Sequence, residues 1–203
     1  MTALRALQRY ARERPPPAPR ERCELCGVAV ESGHGHVVDL EKRVLCCACR
    51  PCALLFEKPG AAAGRYRTVP DRVLRGPKLL HSQWSALGVP VQLAFVFFNS
   101  RLGQFIGCYP SPGGAIEAEV SPDAWARFAR EFGIQLDQDV EALLCFAPRG
   151  NPELESFVVP IDRCYELVAI CRQHWKGFDG GDDVRRELDA FFERLRSAAQ
   201  GGA

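Results

Sequence analysis

The sequence contains no apolar run approaching the roughly 18 residues of a membrane-spanning helix. The longest, Val89 to Phe98, is interrupted by Pro90 and Gln92 and predicts a buried strand. The N-terminus has no apolar segment of the secretory kind. Lysine is scarce, 4 residues against 22 arginines. That imbalance fits a GC-rich genome, and it favours planar, bidentate contacts with carboxylate or phosphate. With a net charge of +1, the molecule as a whole is not built to hold a polyanion. Motifs for nucleotide or hydrolytic chemistry are missing too: there is no G-x4-G-K-S/T loop, no G-x-G-x-x-G after a strand, no H-E-x-x-H and no G-x-S-x-G. The glycines of "GFDGGDD" precede a helix, but the acidic residues around them would repel phosphate. Asp179, Asp182 and Asp183 can attract a cation, although a helix start explains them more simply. Glu117 and Glu119 alternate with apolar residues as the solvent side of a strand does, so they do not read as a catalytic dyad. With no nucleophile set beside a base, the chain leans away from an enzyme.

What the chain has is cysteine. Six of its ten cysteines fall in the thirty residues "CELCGVAVESGHGHVVDLEKRVLCCACRPC", Cys23 to Cys52. Ten cysteines without a secretory leader predict a reducing, cytoplasmic setting, where clustered thiols mean metal or redox chemistry more often than disulfides. Cys23-x2-Cys26-Gly27 is a knuckle: two thiolates on a tight turn can grip one metal ion, and glycine permits the backbone turn that follows. Cys49-x2-Cys52 comes twenty-two residues later, with Pro51 just inside a helix start. The dipole of that helix favours ionised thiols in its first turn. Between the pairs, "HVVDLEKRVLC" predicts a hairpin that sets Val37, Val38 and Leu40 against Val44 and Leu45.

Knuckle, hairpin and cysteine-bearing helix predict a treble-clef-like or zinc-ribbon-like module with Cys23, Cys26, Cys49 and Cys52 as the metal ligands. Other sets remain open. Cys46 and Cys49 also form a C-x2-C, Cys47 is within reach, and His34 or His36 can replace one sulfur. Four thiolates close the tetrahedron of a zinc ion, so the site folds a module and hydrolyses nothing. Iron in the same cage would be a rubredoxin-like one-electron centre, but the second pair lacks the glycine-flanked knuckle that usually matches the first.

Residues 1–22 form a basic tail. Leu4, Leu7 and Tyr10 are spaced for one face of a short helix, in a segment that reads as a frayed tail or, alternatively, as a helix that docks on a partner, and "RPPPAPR" makes a stiff spacer. After the module at residues 23–58, residues 59–76 form a Gly/Pro/Arg-rich connector. There Arg65, Arg67, Arg72 and Arg75, with Lys78 just beyond, read as a solvated linker or, alternatively, as a contact strip for an acidic partner or nucleic acid. Residues 77–198 predict an α+β two-layer domain with a mainly antiparallel sheet. "KLLHSQWSAL" is a short helix, "VQLAFVFFNS" and "GQFIGCYPS" a hairpin, and "AIEAEV" a strand. "SPDAWARFAREFG" is a helix capped by Ser121 and ended by Gly133. "VEALLCFAP" and "SFVVPI" are two more strands. Asp162 caps a helix carrying Cys164, Leu167, Val168, Cys171 and Trp175, and Asp182 and Asp183 start the last one. Cys108, Cys145, Cys164 and Cys171 are core residues on this reading, with a Cys171–His174 metal pair as the minor alternative.

The run "RCELCGVAV…HGHVVDL…LCCACRPCALLFE…GRYRTVPDR", with the later "HWKGFDGGDDVRRELDAFFERL", resembles a bacterial domain family of unknown function. Its members are often encoded beside high-affinity uptake nickel–iron hydrogenases. The resemblance covers the chain from about residue 20. The family's C-x2-C and C-A-C-x2-C cysteines correspond to Cys23, Cys26, Cys47, Cys49 and Cys52, and Cys46 is an extra in this chain. What it implies is a zinc-containing accessory or assembly protein that binds a protein partner, a hydrogenase subunit or its maturation machinery. A rubredoxin-like electron carrier is the alternative. A zinc-finger nucleic-acid binder is a second, opposed by the module itself, in which Lys42, Arg43 and Arg50 are matched by Glu24, Glu31, Asp39 and Glu41. Oligomeric state is not legible.

Overall fold

The computed structural model describes residues 21–58, 60–111, 113–148, 151–177 and 180–200. The predicted docking helix and spacer in residues 1–20 lie outside the described residues, as does Asp179.

Two antiparallel sheets organise the chain. In the first, β1 (Gly35–Asp39) pairs with β2 (Val44–Ala48) in the predicted hairpin, and β3 (Tyr66–Thr68) adds to the other edge of β1. The short helix α1 (Arg50–Leu54) follows β2. The second sheet has the order β4-β10-β9-β6-β7-β8. Its strands are β4 (Leu74–Arg75), β6 (Ala94–Asn99), β7 (Gln104–Ser111), β8 (Gly114–Val120), β9 (Glu141–Phe146) and β10 (Glu153–Pro160), and β5 (Leu79–Leu80) pairs with the start of β10. Every pairing is antiparallel.

Four helices complete the domain: α2 (His81–Ser85), α3 (Pro122–Phe132), α4 (Ile161–His174) and α5 (Gly181–Gln200). The predicted α+β class with a mainly antiparallel sheet holds. A further layer joins the two that were expected, because helices cover both faces of the sheet. Phe95, Leu144, Phe157 and Val159 face Cys164 and Leu167 of α4 and Phe191, Phe192 and Leu195 of α5. Val96, Leu143, Cys145 and Val158 face Trp84 of α2 and Trp125 and Phe128 of α3. All six residues of β9 are buried, and a strand apolar on both faces needs a layer on each. The four cysteines of this domain are buried packing residues, and burial pushes the Cys108 thiol up to about 12 and the Cys171 thiol up to about 11.

The first sheet packs onto the same core. Val38 of β1 and Leu45 of β2 lean on the cluster around α4 and α5. The segment read as a connector is structured: it supplies β3 to the first sheet and β4 to the second. Two predicted caps differ. Ser121 stands at the N-cap of α3, but its hydroxyl makes no capping bond; Pro122, Asp123 and a left-handed Gly133 (φ 65°) delimit the helix. Asp162 is the second residue of α4, behind Pro160 at the N-cap, and its carboxylate goes to His36 instead. At the start of α5, Asp182 pairs with Arg185, and Asp183 with Lys176 and Arg186, as a helix start requires.

Asp39 locks the hairpin. It is 2% exposed, and its Oδ1 accepts the backbone N–H groups of Glu41 and Lys42 at 3.0 and 3.1 Å. Its Oδ2 accepts from Arg65 Nη2 at 2.7 Å and Nε at 3.2 Å. The Arg65 hydrogen bonds, against opposing burial and with help from the Lys42 amide, hold its carboxyl down at about 2. A carboxyl with a lowered folded-state pKa contributes stability above the ordinary carboxylate value of about 3.9 and loses it as pH falls towards 2. Asp39→Asn is therefore expected to lower the urea midpoint at neutral pH, by about 1–3 kcal/mol in stability. It should also flatten the midpoint's fall between about pH 4 and pH 2. An acid-unfolding slope equal to that of the wild type would assign the acid sensitivity to other carboxylates.

Candidate metal centre

The knuckle is built by backbone bonds. Cys23 N–H donates to Val28 O and Gly27 N–H to Cys23 O, both at 2.8 Å. Gly27 sits at φ 77°, the left-handed region open to glycine. Arg22 Nη1 donates to Gly27 O at 2.9 Å and braces the turn from outside. Glu24 ties the knuckle to β2: its N–H donates to Cys47 O at 2.9 Å, and its Oε1 accepts Cys47 N–H at 2.8 Å.

The second pair stands at the start of α1, as its spacing predicts. Cys49 is the extended N-cap, Pro51 lies in the first turn, and Ala53 N–H returns to Cys49 O at 2.9 Å. The Sγ atoms of Cys23, Cys26, Cys49 and Cys52 all lie within 4.8 Å of one another, and Cys26 and Cys49 approach to 3.6 Å. That donor set fits one thiophilic, tetrahedral metal ion. Cys23 is buried at the back of the cage and Cys26 is exposed at its front. Burial works against the Cys23 thiolate, but backbone N–H groups of Cys49, Cys26 and Leu25 outweigh it and bring the thiol down to about 6. Hydrogen bonds from Cys49 and Cys26, with some burial, push Cys52 up to about 12. Bringing this cage to four thiolates therefore releases protons, which couples metal affinity to pH.

The other candidates fall elsewhere. Cys46 lies opposite Val37 and points into the module, with its thiol raised by burial. Cys47 lies opposite His36 and forms a second group with His34 and His36, again with potential ligand atoms within 4.8 Å of one another. Cys171 and His174 belong to neither group.

The arginine strip is engaged within the chain. Arg65 holds Asp39 and lies 3.4 Å from Glu41. Arg67 donates to Gln138 O at 2.6 Å. Arg72 forms a two-pronged pair with buried Glu141, Arg75 lies 3.6 Å from Glu155, and Lys78 lies 3.3 Å from Glu153. A nucleic-acid surface built on this strip would have to break these contacts first.

Sequence reasoning missed Glu141, the partner of Arg72, and read Asp162 as a helix cap without its pairing to His36; both partners lie far away in the chain. It also missed a cavity of about 510 Å³ between module and domain, lined among others by Val38, Leu45, Phe95, Phe97, Ile161 and Val168. Only a charged residue opening an apolar strand, as Glu141 does, was a visible signal. No helix of the described residues is long and apolar enough to cross a membrane.

Knuckle, hairpin and short helix thus converge four cysteines, a group that could hold one metal ion, into a treble-clef-like module carried on an α+β domain. The chain belongs to the family of unknown function DUF5947, which it matches over residues 22–199. No curated protein and no solved structure shows significant similarity to it.

Proposed function

We propose that this chain is a zinc-containing accessory or assembly protein that docks a protein partner through its cysteine module. The partner is a nickel–iron hydrogenase subunit or a maturation factor of that enzyme, as the family's gene neighbourhood implies. The observation that carries the docking role is the exposed apolar side chains that flank the cysteine pairs. Val28 stands two residues past the first cysteine pair and is 51% exposed; Leu54 and Leu55 follow the second pair at 51% and 67%. Helix α1 has no buried residue at all. Large aliphatic side chains left in water beside a metal cage favour a protein partner over a phosphate backbone.

The test is affinity purification of tagged chain from its native cells under hydrogenase-inducing conditions, with and without nuclease. A Leu54→Ser/Leu55→Ser variant is run alongside. Both leucines are exposed, so the variant is expected to fold and to keep its metal. Recovery of hydrogenase or maturation proteins with the parent chain, reduced at least tenfold in the variant and indifferent to nuclease, is the expected result. Equal recovery by both chains would move the docking surface elsewhere, and absence of these proteins from both would refute the partner. Metal analysis of the same material separates zinc from iron, since an iron–thiolate cage is coloured.

A further inference from the structure

We infer that His34, His36 and Cys47 form a second metal site beside the four-cysteine cage, one that leaves a coordination position open. The argument begins with hydrogen-bond accounting. Among the described residues, two buried side-chain polar atoms have no partner: His34 Nε2 and Asp162 Oδ1. Both belong to one cluster. Buried polar atoms are nearly always satisfied, and an orphan in a native fold needs an unseen partner such as an ion.

The tautomers follow from what the other ring nitrogens face. His34 Nδ1 lies 2.9 Å from the carbonyl oxygen of Glu31, which can only accept, so Nδ1 carries the hydrogen. The lone pair is then on Nε2, in a side chain only 9% exposed. His36 Nδ1 donates to Asp162 Oδ2 at 3.0 Å, which likewise leaves its Nε2 lone pair free. Metal-binding histidines are held in this way: one nitrogen is tethered to a carbonyl or carboxylate, which fixes the ring and raises the basicity of the other.

Cys47 completes the set. It lies directly opposite His36 across the β1–β2 ladder, so both side chains leave the same face. The His34 and His36 rings are 4.9 Å apart between centroids, and the three residues offer ligand atoms within 4.8 Å of one another. Ligands at 2.0–2.3 Å from a tetrahedral ion stand about 3.5 Å apart, so a group already within 4.8 Å needs only a small closure to bind one. Two imidazoles and a thiolate suit a divalent transition ion of borderline softness, such as zinc, cobalt(II) or nickel(II). Three protein ligands leave the fourth position to solvent or to a donor from another molecule, unlike the closed cage nearby. Through Asp162 this site also joins the module to the first turn of α4, so its occupancy fastens the module to the α+β domain.

The test is anaerobic titration of the full-length chain with cobalt(II) under reducing conditions, followed by visible absorption. The wild type is expected to bind two ions, one with the strong bands of a four-thiolate site and one with the weaker sulfur bands of a single thiolate. His34→Ala, His36→Ala and Cys47→Ser should each bind one ion, with the four-thiolate spectrum unchanged; that spectrum reports that the module has folded. Asp162→Asn lies outside the module. It is expected to weaken the second ion about 10–100-fold without touching the first. Saturation of the wild type at one ion, a second ion still bound by the His36 and Cys47 variants, or an unchanged second affinity in Asp162→Asn would each overturn the site.

Discussion

Cys23→Ser is expected to empty the cysteine module of metal and to unfold it, while the α+β domain stays folded. Cys23 is 1% exposed, and its thiol sits against the amides of Cys49, Cys26 and Leu25. Serine there removes one sulfur and leaves a hydroxyl that no metal needs. The hairpin also rests on the domain core through Val38 and Leu45, but the knuckle and α1 have little else to rely on. Helix α1 has no fully buried residue, and the knuckle is held by a few backbone bonds and by Glu24. In small modules of this kind, metal binding contributes apparent free energies of about 10–16 kcal/mol, and that energy is the folding energy. The check is metal analysis combined with amide hydrogen exchange. Amides of Cys23, Gly27 and Cys47 should exchange freely in the variant, while those of β6 and β9 remain protected. Cys46→Ser is the control, because Cys46 belongs to neither candidate ligand group and is expected to keep the metal. If Cys23→Ser retained the wild-type metal content while Cys46→Ser lost it, the ligand set would be wrong.

The second large effect lies far from the cysteine cage. Arg72→Ala is expected to cost about 2–4 kcal/mol, somewhat below the usual cost of breaking a buried pair because Arg72 is half-exposed. Glu141 is fully buried. Its Oε1 accepts from Arg72 Nε at 2.5 Å, and its Oε2 from Arg72 Nη2 and from the Asp137 N–H, each at 2.9 Å. The same bonds raise Arg72 above the ordinary arginine value. Removing the guanidinium strands a carboxylate in a strand where every neighbour is buried. Thermal unfolding should fall by about 5–12 °C for a chain of this size. The sign of the pH dependence identifies the cause. A stranded carboxylate has its folded-state pKa raised, so the variant should regain stability as pH falls from about 7 towards 4. Glu141→Gln in the Arg72→Ala background should restore part of the loss. A variant equally destabilised at pH 5 and pH 7 would point to lost packing of the arginine stem.

Legibility followed the range of the interactions. The knuckle, the hairpin and the proline-started helix are local, and their spacing specifies them. The same holds for α3, whose buried Trp125 and Phe128 and terminal Gly133 are read directly from residue order. Strands β3 and β4 were read as connector because three and two residues are too few to show a period. They become strands only through Val37, Val38 and Asp39 on one side and Phe157 and Val158 on the other. The arginine strip looked free for the same reason: its acids come from Asp39, Glu141, Glu153 and Glu155, scattered along the chain.

Sequence alone determined the mixed α+β class, the antiparallel hairpins and the four cysteines that converge on one point, because tight turns and helix starts are set by neighbouring residues. Tertiary structure alone decided which side chains share a site. His36 meets Asp162 across 126 positions, and that contact ties the module to the first turn of α4 and holds an imidazole beside Cys47. Such a pairing depends on how two sheets and a helix pack on a common core, and no local pattern in the chain carries that information.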